Sequence, residues 1–426
     1  VNVDFVLPLF APSCTEGSSV HFTHLASALQ QAGHDVVVHS STSSRFERVG
    51  ARLRWRGDLR GGVSRLSGLA VRRYAARERS LSASFEHLLA ASGAARRVLG
   101  FREAAPAPSI AERMPGTREE ALALLGAIRE AAAGSARRHH LRRMQLLGPS
   151  LPAQAIVAHA RRRRAVLVVG YFPFRCCWDV VEQATAQGVR CFVLPLFHPL
   201  EPLHHNVHLT EAAQRADGVL CLSPFTRDYF DASVCPGRAH LLGSAPAPIA
   251  ADGLDGARSE TPYFVFIGRN ELGKNLPEAI RIVDLVRAGL GEDCVLKVLS
   301  PLTDAEVEAL PSFVRCVPSA TVLEVARLLK GARALLFPSL LESFGLVALE
   351  ALRVGTPVLV KASNLATASV LEQLGLGAWV YSSEDEAARK AASPDAHPVA
   401  RADLSFYSWP RIAERFGALV GPPAGA

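Results

Sequence analysis

Residues 334–360 read ALLFPSLLESFGLVALEALRVGTPVLV, and no other stretch narrows the choice of folds so far. The apolar run 334–337 has strand character and empties into Pro338, Ser339, Leu340, Leu341, Glu342 and Ser343. A helix is expected to begin near Phe344 and Gly345 and to carry Glu350 on its second or third turn. Gly355, Thr356 and Pro357 end that helix, and Val358, Leu359 and Val360 read as the next strand. Strand, loop, helix and strand in this order make one unit of a parallel sheet.

In such a unit ligands sit where strand C-termini meet helix N-termini. The helix start offers free N–H groups and the positive end of its dipole, which suits a phosphate. Glu342 and Glu350 are eight positions apart; were all eight helical, that would be roughly 12 Å of rise. Glu342 would stand at the helix mouth, level with a phosphate, and Glu350 further along. A ligand touching both is extended, with a sugar, a pyrophosphate and a ribose in succession.

The same alternation runs through the second half. Residues 263–267 form a strand leading into Gly268, Arg269, Asn270, Glu271, Leu272, Gly273, Lys274 and Asn275. Asn275 with Glu278 three positions later reads as a capping box, with Pro277 tolerated in the first turn. Arg269 and Lys274 thus flank a strand-to-helix loop on the same edge as Glu342. The forked donor of arginine and the mobile charge of lysine both suit a pyrophosphate. Strands at 295–299 and 314–317 and helices at 304–310 and 322–329 complete a doubly wound parallel sheet.

The first half opens on a strand (3–7), a small-residue loop containing Gly17 and Ser18, a helix (21–32) with apolar residues at helical spacing, and a strand (35–39). From about residue 44 to 164 alanine, arginine and leucine dominate; 71–89 and 119–145 read as helices and 103–115 as a break. Strands are expected at 165–169 and 190–197. His198 follows the second of these in an apolar setting, on the ligand edge of a sheet. His204 and His205 are poorly spaced for a metal and read as surface histidines. Ser223 is placed to cap a helix, and the Ala, Pro and Gly-rich stretch from Gly243 to Ser259 reads as an interdomain linker.

At 426 residues with 49% hydrophobic content the chain supports two domains with cores. No run of 18 uncharged apolar residues appears, and the N-terminus reads as a first strand, not a signal peptide. Eight scattered cysteines without zinc spacing fit a reducing cytosol. The net charge of +7 is concentrated before Val166, at Arg72 and Arg73, Arg96 and Arg97, Arg137 and Arg138, Arg142 and Arg143, and Arg161 to Arg164. No nucleic-acid-binding pattern accompanies it, so nucleic acid is not expected as a partner. An anionic membrane surface or an acidic acceptor fits the charge.

The combination Pro-Ser, Glu, Phe-Gly, Glu-Ala and Gly-x-Pro-Val over residues 338–358 resembles the signature of retaining, GT-B-fold glycosyltransferases of the family 4, or glycosyl transferases group 1, type. The resemblance implies an α/β chain with two Rossmann-like doubly wound domains facing a central cleft: an acceptor-side domain over 1–244, a linker over 245–259, a nucleotide-sugar-binding domain over 260–405, and a crossover helix and tail over 406–426. It implies transfer of a sugar from a nucleoside-diphosphate sugar to a hydroxyl of a sugar, lipid-linked or small-molecule acceptor, without a metal or further cofactor. Glu342, Lys274, Arg269 and His198 are the implied catalytic group. Glu350, Phe344, Gly345, Leu346, Gly268 and Gly17 are the implied donor contacts, with Glu350 on the ribose hydroxyls. A cytoplasmic location, with peripheral association at the inner membrane face, goes with this reading. A nucleotide-sugar-binding partner or sensor subunit and a nucleotide-sugar epimerase are the alternatives. Family members with two glycines in the first loop differ from this chain, where Ser18 follows Gly17. The family's Gly-Gly-x-Pro-Glu is replaced here by Asn364, Leu365, Ala366, Thr367, Ala368 and Ser369.

Overall fold

The structure is a computed structural model, and it describes residues 1–10, 17–43, 45–49, 52–56, 59–66, 68–75, 115–136, 151–170, 174–205, 207–248, 254, 261–290, 293–317, 319–393 and 402–421. The chain divides into two compact units. One comprises Val1–Val98, Gly126–Ala245 and Phe406–Ala426, the other Leu99–Leu125 and Pro246–Ser405.

The first unit begins with β1 (Asn2–Leu7), α1 (Gly17–Gln31) and β2 (Asp35–Ser41). A hairpin of β3 (Arg45–Val49) and β4 (Arg52–Arg56) stands as its own two-stranded sheet. Then follow β5 (Gly62–Leu66), β6 (Leu69–Tyr74) and α2 (Arg118–Ala136). The remainder alternates: α3 (Ala153–Arg163), β7 (Val166–Gly170), α4 (Arg175–Ala186), β8 (Cys191–Leu194), α5 (Val207–Arg215), β9 (Gly218–Cys221), α6 (Pro224–Ser233) and β10 (Ala239–Leu241). The eight-stranded sheet has the order β10-β9-β8-β7-β1-β2-β6-β5 and is parallel except for β5 against β6.

Two expectations fail here. The stretch from Val71 is not a helix at its start: β6 pairs with β2 in register, Val38 beside Val71 and Ser40 beside Arg73. Alternation decides this, since Leu69, Val71 and Arg73 are buried and the residues between them are half-exposed. Four strands therefore occupy the front of the region expected to be helical. Residues 76–114 and 137–150, with the rest of the expected helices and the break at 103–114, lie outside the described residues. Second, α1 starts earlier than expected, so Gly17, Ser18 and Ser19 form its first turn rather than a loop.

The second unit contains β11 (Tyr263–Ile267), α7 (Leu276–Leu290), β12 (Val295–Leu299), α8 (Asp304–Glu308), β13 (Val314–Val317), α9 (Val322–Lys330), β14 (Ala334–Phe337), α10 (Leu346–Arg353), β15 (Val358–Lys361), α11 (Leu365–Gln373), β16 (Val380–Tyr381) and α12 (Glu384–Ala392). Its sheet is wholly parallel, in the order β13-β12-β11-β14-β15-β16. Order reverses between β11 and β14, so the crevice of this sheet opens at their C-terminal ends. Thr303 and Thr321 start α8 and α9 with reciprocal capping boxes, each satisfying two orphan donors. Asn275 makes no such box. It stands at φ 58° as the residue after a 3-10 turn, Leu272–Lys274.

The chain then returns to the first unit with α13 (Trp409–Val420). On one face of that unit's sheet Phe5 meets Phe22 of α1 at 5.9 Å and Phe416 of α13 at 6.3 Å between ring centroids. All three rings are essentially inaccessible to water. Truncating one of them to alanine removes transfer energy and leaves a cavity, about 3–5 kcal/mol in all. On the other face Asp4 accepts from His39 Nε2 at 3.0 Å, His159 Nδ1 at 2.9 Å and the Arg163 guanidinium. Burial alone would raise the Asp4 pKa; the hydrogen bonds from His39 and His159 and the charge of Arg163 outweigh it and hold the carboxyl below its usual range. This network pins β1, β2 and α3 together. Ser223 caps α6 as expected, accepting from Thr226 N–H.

Candidate functional site

In the second unit the loop leaving β11 and the loop leaving β14 are stitched together across the switch point. The Gly273 carbonyl accepts from Leu340 N–H at 2.8 Å. Lys274 Nζ lies 2.5 Å from Glu342 Oε1, with side chains 23% and 12% exposed. Gly268 lies against the Lys274 stem, 3.5 Å from it at the position a Cβ would take. Arg269 is further out: it is exposed and paired with Glu271 at 3.2 Å.

A buried polar brace stands behind Lys274. Asn275 Nδ2 donates to Glu278 Oε2 at 2.5 Å, Lys361 Nζ reaches the same oxygen at 2.5 Å, and Tyr381 Oη donates to Oε1 at 2.9 Å. Asn275, Glu278, Lys361 and Tyr381 are all buried. Burial, with the Glu278 carboxylate beside it, pushes the Tyr381 phenol well above its usual range. Lys361 and Tyr381 are register partners on β15 and β16. The backbone following Lys274 is thereby anchored to two strand ends. In the sequence Glu278 was legible only as a cap; nothing there pointed to Lys361 or Tyr381.

Helix α10 starts at Leu346, one or two residues later than expected, because Gly345 takes φ 87° and serves as its N-cap. A Cβ on Gly345 would lie 2.6 Å from Thr367 Oγ1 and 3.3 Å from Phe337 Cε1. Phe344 is buried beside it. Only residues 346–350 of the Glu342-to-Glu350 interval are helical, about 6 Å of rise. Glu350 is half-buried in the second turn, and among the described residues no hydrogen bond or ion pair engages its carboxylate. Burial raises its pKa above the usual carboxylate range, with Arg353 offsetting part of the effect.

The segment that departs from the family pattern supplies polar atoms instead of glycines. Ser363 Oγ, Asn364 Nδ2 and Thr367 Oγ1 are buried and lack hydrogen-bond partners, while Asn364 Oδ1 caps α11 by accepting from Thr367 N–H. Buried polar atoms without partners are uncommon; these cluster at the start of α11, and Thr367 Oγ1 lies beside Gly345.

In the first unit Gly17 is the first residue of α1, on the C-terminal edge of β1. His198 lies in the loop after β8. Its N–H donates to His204 Nδ1 at 3.0 Å, and the two rings are 4.9 Å apart. His204 and His205 are buried, contrary to expectation. His205 shares hydrogen bonds with the Pro199 carbonyl at 2.7 Å and Tyr229 Oη at 3.2 Å. Burial drives His204 well below the usual histidine pKa and His205 down to about 4. Both are neutral props that fix the main chain at His198. A short turn, Pro202–His205, folds them inward.

Residues 255–393 match the family model described as glycosyl transferases group 1. No curated protein sequence matches the chain. Among solved structures, sucrose-phosphate synthase from Thermosynechococcus elongatus is similar at TM-score 0.51 and 15% identity, covering 98% of each chain. An α,α-trehalose 6-phosphate synthase from Burkholderia multivorans is similar at TM-score 0.58 and 12% identity, covering 98% of this chain and 97% of its own. The trehalose-6-phosphate protein of E. coli, solved with UDP-2-fluoro glucose, is similar at TM-score 0.58 and 10% identity, covering 98% of both chains. At these identities the structural likeness speaks for the fold, which is GT-B. Over residues 255–393 the second unit is similar to the glycosyl transferases group 1 family.

Proposed function

We propose that the protein is a retaining glycosyltransferase that moves a hexose-type sugar from a nucleoside-diphosphate sugar to an acceptor hydroxyl, in making a glycoconjugate, a polysaccharide or a secondary metabolite. The observation that carries this reading is the pairing of Lys274 with Glu342 at 2.5 Å across the switch point of the second sheet. Arg269 stands on the same loop, and the N-terminus of α10 follows Glu342 directly. The UDP-2-fluoro glucose bound in one of the similar structures supports a donor of this class.

In this reading the leaving diphosphate is neutralised by Lys274, Arg269 and the amides at Phe344, Gly345 and Leu346, charge stabilisation aimed where charge develops. Gly268, packed against the Lys274 stem, and Gly17, in the first turn of α1, are donor contacts in this reading. Glu342 holds the sugar hydroxyls and stabilises positive charge at the anomeric carbon. Glu350 accepts both ribose hydroxyls, which an ionised carboxylate can do. His198 serves the donor sugar from the first unit, whose role is to take the acceptor. Protein cations and amides do the electrostatic work, so the reaction asks for no metal. Among the described residues no helix is long and apolar enough to cross a membrane. Peripheral attachment to an anionic membrane from the cytoplasmic side belongs to the same proposal, and flotation with anionic vesicles tests it.

A thermal-shift panel of nucleoside diphosphates and nucleotide sugars tests the donor site, because a ligand binding only the folded state raises its stability. One nucleotide sugar should shift the wild type and not Glu350→Gln. No shift with any would direct attention to a partner-subunit role. A configuration change in the free nucleotide sugar, without acceptor, would identify an epimerase.

A further inference from the structure

Arg73 is the next-to-last residue of β6 and only 8% exposed. Its Nη1 donates to the Phe10 carbonyl at 3.0 Å. That engages one of five N–H donors, and no carboxylate pairs with the guanidinium among the described residues. Burial alone lowers its pKa, with no charged partner contributing. Ser40, its register partner on β2, projects from the same face of the sheet. Ser40 is 0% exposed, and its Oγ has no hydrogen-bond partner.

Both residues lie at the C-terminal ends of parallel strands, the edge on which α1 begins. An arginine buried without an anion is costly, and proteins normally pair it. A buried serine hydroxyl left unpaired adds to the cost. An unpartnered buried hydroxyl beside a buried guanidinium that meets no carboxylate among the described residues, both on the sheet edge from which α1 leaves, calls for an oxyanion. We propose that Arg73 and Ser40 bind an oxyanion, a phosphate or a carboxylate, carried by the acceptor. The inference rests on the acceptor role of the first unit and narrows the acceptor to an anionic one.

The test is thermal shift and calorimetry with inorganic phosphate, glucose 6-phosphate and glucuronate on the wild type, Arg73→Met, Ser40→Ala and Lys274→Ala. Phosphate or glucuronate should stabilise the wild type, and glucose 6-phosphate against glucuronate separates phosphate from carboxylate recognition. Arg73→Met, relieved of an unpaired buried charge, should be at least as stable without anion and lose at least tenfold in anion affinity. Ser40→Ala should keep its stability and bind about threefold more weakly. Lys274→Ala, which alters only the diphosphate site of the second unit, should keep the wild-type response to glucuronate. Undiminished affinity in Arg73→Met, or in Ser40→Ala should Arg73→Met not fold, overturns the proposal. So does a response lost only in Lys274→Ala, which would place the anion at the β11 loop, and so does no response to any of the three anions. UDP, GDP and ADP titrated in parallel separate the two readings. Nucleotide binding without anion binding sinks this inference alone; anion binding without nucleotide binding sinks the donor assignment.

Discussion

Lys274 Nζ and Glu342 Oε1 lie 2.5 Å apart on loops from two adjacent strands, β11 and β14. Each is the other's partner, so neither charge can be deleted without leaving the second one half-buried and alone. Lys274→Ala should therefore lower the melting temperature slightly and cut sugar transfer on the order of 10²-fold or more, as for loss of a charge partner of the transition state. Glu342→Ala should reduce turnover much more than donor affinity. Steady-state kinetics on both variants check this; wild-type turnover in either one removes that residue from the site.

Glu350→Gln should weaken nucleoside-diphosphate binding while leaving the fold intact, because its carboxylate supports no described hydrogen bond whose loss would be felt. Burial raises the Glu350 pKa, so the ionised form that accepts two hydroxyls is depleted at a higher pH than for an ordinary glutamate. Donor affinity measured by calorimetry should fall on acidification toward pH 5 and should be flat with pH in Glu350→Gln.

Asn275 offers a separate test of the brace behind Lys274. At φ 58° glycine adopts the same backbone at no steric cost, so Asn275→Gly removes the tether to Glu278 without straining the turn. The melting temperature should move by only a few degrees while diphosphate affinity drops several-fold. In a Lys274→Ala background the same change should have no further effect on affinity, the coupling a double-mutant cycle reads out. Equal losses in both backgrounds would show that Asn275 acts independently of Lys274. Glu278→Gln is the harsher variant, leaving Lys361 buried without its counter-charge at about 3–5 kcal/mol.

Gly345→Ala should be destabilising and should weaken donor binding together. The left-handed φ of 87° disfavours any side chain, and the new methyl would meet Thr367 Oγ1 at 2.6 Å. Strain of about 1–2 kcal/mol from the backbone adds to the displacement of Thr367, which lies against the loop carrying Phe344. Paired denaturant unfolding and nucleotide titration measure the two effects. A variant as stable as the wild type would mean that Thr367 yields freely.

The second unit was legible because its sheet is fully parallel and buried, so each strand is a short apolar run closed by a turn signal, as at Phe337-Pro338 or Gly355-Thr356-Pro357. The Lys274 and Glu342 loops could be placed on one edge from that alternation alone. Their stitching through Gly273 and Leu340 could not, because it depends on backbone atoms that carry no sequence signal. The brace escaped notice for another reason: Lys361 and Tyr381 are brought to Glu278 by register over 83 and 103 residues of chain. In the first unit, composition misled. Burial alternates at period two along Leu69, Val71 and Arg73, yet the abundance of alanine and arginine suggested helix. Burial of His204 and His205 was equally hidden, since a polar pair in a short turn looks the same whether it points to water or to Phe197.

Acid sensitivity follows from the buried histidines, and its sign is fixed by linkage. Burial lowers the His21 pKa to about 3 and the His205 pKa to about 4. Above pH 6.5 each is neutral whether folded or unfolded and contributes no pH dependence. As pH falls below 6.5 the unfolded chain takes up a proton that the folded chain refuses, so stability declines until the folded pKa is reached. Each fully shifted histidine costs about 2 kcal/mol between pH 6.5 and 5, at 1.36 kcal/mol per pH unit. Asp4 works in a lower window: its pKa is depressed in the folded state, so its contribution persists above the ordinary carboxylate pKa and is lost only below it. The melting temperature should therefore drop between pH 6.5 and 5 before Asp4 titrates, and His205→Gln, which retains a side-chain amide to serve the Pro199 carbonyl, should flatten that slope. A melting temperature constant from pH 7 to 5 would mean that these imidazoles gain protonated-state partners on acidification. His21 has Ser244 Oγ at 2.7 Å on one nitrogen and no partner on the other, so it has the least scope to do so.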